Sequence, residues 1–199
     1  PYTEQDEYKK AIAFAADIVV IHLGINDTDP RNWPNYRDAF VSDYLQLIDS
    51  FKKANPMARI LVAQMSPISH RHPRFESGTR DWHAEIQQAI ERIAKQAGVQ
   101  LIDFHEPLAH EAQAQLIDFH SPLYPYPQLL PDGLHPNAEG AKRLARVVYS
   151  AITGDYGGLQ LPAIYTDNMV LQHGQPLPIK GIANTGTKII VTIGKQKFT

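Results

Sequence analysis

Cysteine is absent from the 199 residues, which excludes disulfides, thiolate nucleophiles and cysteine-ligated zinc from any account of this chain. No apolar run approaches the length of a membrane span, so no membrane is expected as a partner. Nor is there an excess of basic charge. Nineteen Lys and Arg stand against 21 Asp and Glu, and no nucleic acid is expected either. The first residue is a proline in polar sequence rather than a methionine, so the chain is expected to be a fragment or a processed product. Its lack of a signal peptide then says little about export. What is present is a globular balance, 43% hydrophobic and 20% charged, long enough for one domain of ordinary size and part of a second.

After a polar lead, Glu7 to Ala15 reads as a short helix. Asp17-Ile18-Val19-Val20-Ile21-His22-Leu23 is a continuous apolar run rich in β-branched residues, which predicts a strand buried on both faces of a parallel sheet. It ends in Gly24-Ile25-Asn26-Asp27, a polar loop at the strand's carboxyl end, where ligands bind in open α/β sheets. From Tyr36 to about Ala54, Phe40, Tyr44, Leu47, Ile48 and Phe51 recur at helical spacing. Arg59 to Met65 is a second buried strand, followed by a long loop from Ser66 to about Thr79. A helix from about Arg80 to Gln96 turns Ile86, Ile90 and Ile93 inward and is capped by Gly98. This alternation predicts a three-layer α/β domain.

The next stretch repeats itself. Gln100-Leu101-Ile102-Asp103-Phe104-His105 recurs as Gln115-Leu116-Ile117-Asp118-Phe119-His120, and each copy is followed by one residue and then Pro-Leu. Two copies are too few for a solenoid and read as a local tandem duplication. Only one can fill the strand slot. The first is favoured because it follows Gly98 directly, with Glu106 to about Gln115 continuing as helix or as an excursion.

Leu130-Pro131-Asp132-Gly133-Leu134-His135-Pro136-Asn137-Ala138-Glu139-Gly140 then sets an acid three residues before a histidine, in a turn that opens onto a helix. At that spacing the carboxylate can accept a hydrogen bond from the ring, fix its tautomer and support its positive charge, as a general base requires. The same residues also fit ordinary turn and helix-start chemistry. Ala138 to about Ile152 is the closing helix, with Ala141, Leu144, Ala145 and Val148 inward. Residues 154–161 read as a linker. From 162 to 199, Met169-Val170-Leu171 and Lys188 to Ile193 look like the first strands of a β-sandwich.

A Gly-Xaa-Asn-Asp loop after a buried strand, with an Asp-Xaa-Xaa-His turn before the last helix, resembles the third and fifth sequence blocks of the SGNH (GDSL-type) hydrolases, over roughly residues 5–153. The resemblance implies a flavodoxin-like α/β/α sandwich with a parallel sheet, lacking its first strand here, and ester hydrolysis by a Ser-His-Asp triad. His135 would be the general base and Asp132 its orienting acid. Asn26 would donate into the oxyanion hole from a loop shaped by Gly24. No cofactor and no metal is implied. The family's Gly-Asp-Ser block is missing, and none of Ser42, Ser50, Ser66, Ser69, Ser77 and Ser121 follows Gly-Asp. The nucleophile is therefore expected upstream of Pro1, and the chain alone is expected to be a poor or dead esterase.

Leu161 to Gln172, with Asp167-Asn168-Met169-Val170-Leu171-Gln172, followed by Gln175 to Ile179 and Gly181, resembles the opening of the β-rich region of sialate O-acetylesterases. That implies a multidomain carbohydrate esterase, periplasmic or secreted, acting on O-acetylated sialic acids or related glycans beside further domains of the same polypeptide. The competing class is a non-catalytic carbohydrate-binding or structural module that has kept the hydrolase shape; a lipase-like member ranks lower, since no long apolar loop offers an acyl groove. His70, His72 and His83 are read as solvated loop residues rather than ligands, and His22 as a hydrogen-bonded core residue. Trp33, Trp82, Tyr124 and Tyr126 are read as packing aromatics before sugar-stacking walls.

Overall fold

The computed structural model describes residues 2–68, 72, 79–113, 129–161, 165, 169, 174, 176 and 178–199. It divides into two compact units, Pro1–Val147 and Val148–Thr199.

In the first unit the chain runs α1 (Asp6–Phe14), β1 (Ile18–Ile21), α2 (Trp33–Ala54), β2 (Arg59–Ala63), α3 (Thr79–Ala97), β3 (Gln100–Ile102), α4 (Glu106–Gln113) and the start of α5 (Ala138–Thr153). The three strands form one parallel sheet in the order β1-β2-β3. Val20 pairs with Leu61 and Leu61 with Gln100, so β2 is the centre. It is an α/β fold, and the first copy of the repeat supplies its third strand.

The helices form where the apolar spacing demands. Phe40, Tyr44, Leu47, Ile48 and Phe51 make the buried stripe of α2, which starts three residues earlier than expected because Pro34 sits comfortably in its first turn. Ile86, Ala89, Ile90, Ile93 and Ala94 do the same on α3. Gly98 ends that helix in the left-handed region, its N–H donating to the Lys95 carbonyl and the next N–H to the Ala94 carbonyl. Both stripes pack with Val19, Ile21, Ile60 and Val62 into one core. The turn from α1 into β1 is held by one side chain. Asn55 Nδ2 donates to the Ala15 and Ala16 carbonyls and to Asp17 Oδ1, at 3.1 to 3.3 Å.

Two expectations need correction. Asp17 to Leu23 is not buried on both faces: Val19 and Ile21 are inside, but Ile18 and Val20 are 43% and 40% exposed. Among the described residues β1 pairs only with β2, and an end strand leaves part of one face uncovered. On α5, Ala141 and Ala145 are exposed, while Leu144 packs partly against Leu108, Leu129 and Leu130. That helix makes its close approach through Gly140, where a Cβ would sit 3.0 Å from the Leu129 carbonyl oxygen and from Pro136 Cβ.

The second unit contains a small antiparallel pair, β4 (Val191–Ile193) with β5 (Gln196–Phe198), and a bridge between Gln160 and Ile182. The expected strand from Lys188 is thus shorter, and Val170-Leu171 lie outside the described residues. Residues 154–161 are tied down. Asn184 Oδ1 accepts from the Tyr156 and Gly158 N–H groups, and its Nδ2 donates to Asp155 Oδ1.

Ile90 is fully buried between α3 and the sheet. Ile90→Ala is expected to cost about 2–5 kcal/mol by urea unfolding. A loss below about 1 kcal/mol would mean that this core does not carry the stability of the unit.

Candidate active site

Three parallel strands bring their carboxyl ends to one edge, and the loop that carries Gly24 and Asn26 hangs from it. After β1, Gly24 adopts φ +119°, a backbone conformation that L side chains rarely adopt. A Cβ there would also meet Met65 Sδ at 2.9 Å and Ile86 Cγ2 at 3.1 Å. Glycine is required twice over, by conformation and by space. Residues Ile25–Thr28 then form a 3₁₀ turn that presents Asn26 at the surface.

That turn is bonded from within. The Asn26 carbonyl accepts from the Asp29 N–H at 3.2 Å and from Asn32 Nδ2 at 2.9 Å, and Thr28 Oγ1 donates to the Ile25 carbonyl at 2.7 Å. Asp29 takes a bidentate pair of bonds from Arg31, both 2.9 Å. Trp33, which begins α2, is buried and donates its indole N–H to Glu85 on α3, and Glu85 also pairs with Arg37. Beneath the loop, burial lifts the Tyr44 phenol well above its ordinary value, with the Asp27 carboxylate adding to the effect. Burial raises Asp27 as well.

The Asp132 turn is built otherwise. Asp132 Oδ1 accepts the Leu134 N–H at 2.9 Å and the His135 N–H at 2.7 Å, and Oδ2 meets His135 Nδ1 at 2.6 Å. The carboxylate thus folds its own turn and holds the ring with its remaining oxygen. With Nδ1 donating to Asp132, the other ring nitrogen, Nε2, carries the lone pair. Hydrogen bonds from the His135 backbone and ring, then the Leu134 N–H, hold the Asp132 carboxyl well below the usual carboxylate range. Both side chains are exposed. Asn137 follows as the N-cap of α5, its Oδ1 accepting from the Gly140 N–H at 2.9 Å. The turn therefore serves helix-start chemistry and His135 together.

A third cluster occupies the same edge. The Ser66 N–H reaches His22 Nε2 at 3.4 Å, while His83 Nε2 lies 3.1 Å from the Ser66 carbonyl. His22 must accept and His83 must donate, so the two rings grip one residue's backbone from opposite sides. Phe104 stacks edge-on against His22 at 5.0 Å, and the His105 ring lies 5.7 Å from that of His83. Burial lowers the pKa of His22 and of His83; for His83 the bond to Ser66 opposes the shift and His105 adds to it.

Comparison with known proteins can now be set against this geometry. The family model described as GDSL-like lipase/acylhydrolase matches residues 2–143. The chain belongs to the GDSL-like lipase/acylhydrolase family. It is 31% identical over 169 residues to an acetylxylan esterase from Xylanibacter ruminicola, an alignment covering 76% of this chain and 32% of that one. This GDSL-family chain therefore spans about a third of the length of that relative. Its fold resembles a catalytic mutant of an acetylxylan esterase from Geobacillus stearothermophilus, with TM-score 0.56 and 20% identity over 76% of this chain and 66% of the other. A protein from Parabacteroides merdae described as a GDSL-like lipase gives TM-score 0.57 at 15% identity, over 77% of this chain and 67% of the other. At these identities the likeness carries the fold.

For this GDSL-family chain the structure joins Asp132 to His135 and places Asn26 and Gly24 in a separate turn after β1. His22, just past the end of β1, is half-buried and hydrogen-bonded, in line with the expected hydrogen-bonded residue. His83 is not a solvated loop residue: it lies on α3, only 9% exposed. The signal was its place in the repeat of α3, three residues before Ile86 on the inward side. Trp33 packs edge-on against Phe40 at 5.3 Å, and Trp82 lies partly against the core. His70, Tyr124 and Tyr126 lie outside the described residues.

Both buried histidines bind protons more weakly folded than unfolded, so the unfolded state takes up protons first as the pH falls below about 6.5. Stability is expected to drop as pH is lowered from 7.5 toward 5.5. His83→Gln, which keeps a donor for Ser66, should flatten that slope in thermal melts. An unchanged slope would remove His83 from the linkage.

Proposed function

We propose that this chain carries the base and one oxyanion donor of a serine esterase that removes O-acetyl groups from a carbohydrate. The observation that carries the reading is the 2.6 Å contact of His135 Nδ1 with an Asp132 carboxylate already fixed by two backbone N–H groups. A ring so held offers Nε2 to take a proton from a serine hydroxyl, and the carboxylate offsets the charge that the ring then gains. Asn26, on a turn whose carbonyl is clamped by Asp29 and Asn32, is the side-chain amide for the developing oxyanion. Charge grows on the carbonyl oxygen only in the transition state, so a donor fixed beforehand is worth most there.

The nucleophile, in this reading, comes from sequence preceding Pro1. The uncovered face of β1 with Ile18 and Val20 supports it, being apolar surface suited to a neighbouring element. The substrate class rests on the acetylxylan esterase relative: an acetylated polysaccharide is favoured, with O-acetylated sialic acid and related glycans as the further expectation from the tail. Such polymers lie outside the cell membrane, in keeping with a periplasmic or secreted protein and with further domains on the same polypeptide.

The test compares this chain with a polypeptide extended upstream, both checked for folding by circular dichroism. A fluorophosphonate adduct on the extended form alone, and release of acetate from acetylated xylooligosaccharides, are expected. His135→Ala in that form should lower kcat by several orders of magnitude with little change in folding. Asp132→Asn should be impaired as well, through loss of ring orientation. Near-normal turnover in His135→Ala would sink the assignment. No adduct on either polypeptide would favour the binding module.

A further inference from the structure

Just past the end of β2 the backbone changes partners. The Gln64 N–H still donates to the Ile102 carbonyl at 2.9 Å, as a ladder bond would. Met65 and Ser66 follow, both buried, and buried N–H and C=O groups must be satisfied. Side chains take over there. Gln87 Oε1 accepts the Met65 N–H at 2.7 Å, and Gln87 Nε2 donates to the Met65 carbonyl at 3.3 Å. One amide thus answers both polar groups of one residue, as a neighbouring strand would. His22 and His83 do the same for Ser66 between them. His83 and Gln87 are four residues apart, so both reach this segment from one face of α3.

Holding Met65 bears on the loop after β1. Met65 is fully buried, and its Sδ is the nearest of the atoms that close the space at Gly24; Ile86 Cγ2 is the next. Past the other end of the turn, Glu85 accepts the indole N–H of Trp33 at 3.2 Å. Glu85, Ile86 and Gln87 are consecutive on α3. Neighbouring helix residues point about 100° apart, so Glu85 and Gln87 splay to either side of the buried Ile86. This one stretch of helix therefore reaches the entry of the Asn26 turn at Gly24, directly and through Met65, and its exit at Trp33. Satisfying a backbone needs only a donor and an acceptor. Three consecutive residues that converge on both ends of one turn also fix where its middle is presented.

We propose that Gln87 is a positioning residue for Asn26, acting through Met65, and that residues 85–87 hold the turn in the shape an oxyanion donor needs. The hold on the turn stands on these contacts alone, whereas its value for catalysis rests on the esterase reading.

The first test uses the chain as it stands and needs no activity. Gln87→Met keeps the length of the side chain and removes both hydrogen bonds. The Asp27 and Asp29 N–H groups, which donate to the Gly24 and Asn26 carbonyls, report on the turn. Their hydrogen exchange is expected to quicken by about tenfold or more, the scale of one lost buried hydrogen bond, and by more than that of the β2 amides. A residue that only supports the fold would leave the turn unchanged, or quicken it no more than β2, and either result overturns the proposal. Should Gln87→Met not fold, Gln87→Glu keeps an acceptor for the Met65 N–H and is read in the same way. In the polypeptide extended upstream, Gln87→Met should lower kcat for acetate release roughly 10- to 100-fold with KM little changed. In an Asn26→Ala background the same substitution should cost almost nothing more, because it acts through Asn26. An unchanged kcat, or an equal loss in both backgrounds, sinks the assignment of Gln87. No acetate release from the extended parent would instead remove the esterase reading, and the exchange rates of the turn would still decide on Gln87.

Discussion

Everything described in the first unit depends on the parallel pairing of two strands onto β2. Ile60, Leu61, Val62 and Ala63 are buried, and each flanking strand takes its register from them. A parallel ladder has a consequence that an antiparallel one lacks: all its strands finish on the same side. The loop after β1, Ser66 beyond β2 and Asp103 to His105 after β3 are neighbours for that reason alone. The sheet and α3 then set the loop's shape through contact, because Met65, Ile86 and Ile90 leave no room for a side chain at Gly24.

His22, His83 and His135 divide by environment into two kinds. His22 and His83 are desolvated, hold a backbone segment between them, and do so as neutral rings of opposite hydrogen-bonding sense. His135 stands in solvent beside a carboxylate whose charge is secured by backbone donors. A proton on Nε2 would cost His22 its bond from the Ser66 N–H, whereas His135 Nδ1 is already engaged with Asp132 and its Nε2 is left for other work. One residue type thus serves as a structural clamp and as a candidate base, separated by burial and by partner.

Much of this was legible in the residues. The spacing of Phe40, Tyr44, Leu47, Ile48 and Phe51 predicts α2 because a helix must bury such a stripe, and the Asp132-to-His135 spacing predicts the observed bond because a single turn spans it. What could not be read was the coverage of each face. The run from Ile18 to Ile21 is apolar throughout, yet which of its side chains is covered depends on what lies against them, and periodicity does not record that. Nor could spacing reveal the grip on Ser66, since His22, Ser66 and His83 are brought together only by the sheet. Ala141 and Ala145 illustrate a milder failure, for alanine fits an inward stripe and an exposed one equally well.

Asn184 has a consequence for how the polypeptide can be divided. Residues 154–161 are rich in glycine and look like an obvious place to cut, yet one amide side chain holds Asp155, Tyr156 and Gly158 together, and the Gln160 backbone is bridged to Ile182. A protease needs an extended, unpaired segment in its cleft, and here it would first have to break these bonds. Glycine content marks where a backbone can bend, not where it is free. A boundary drawn through these residues would sever the small unit from its own anchor.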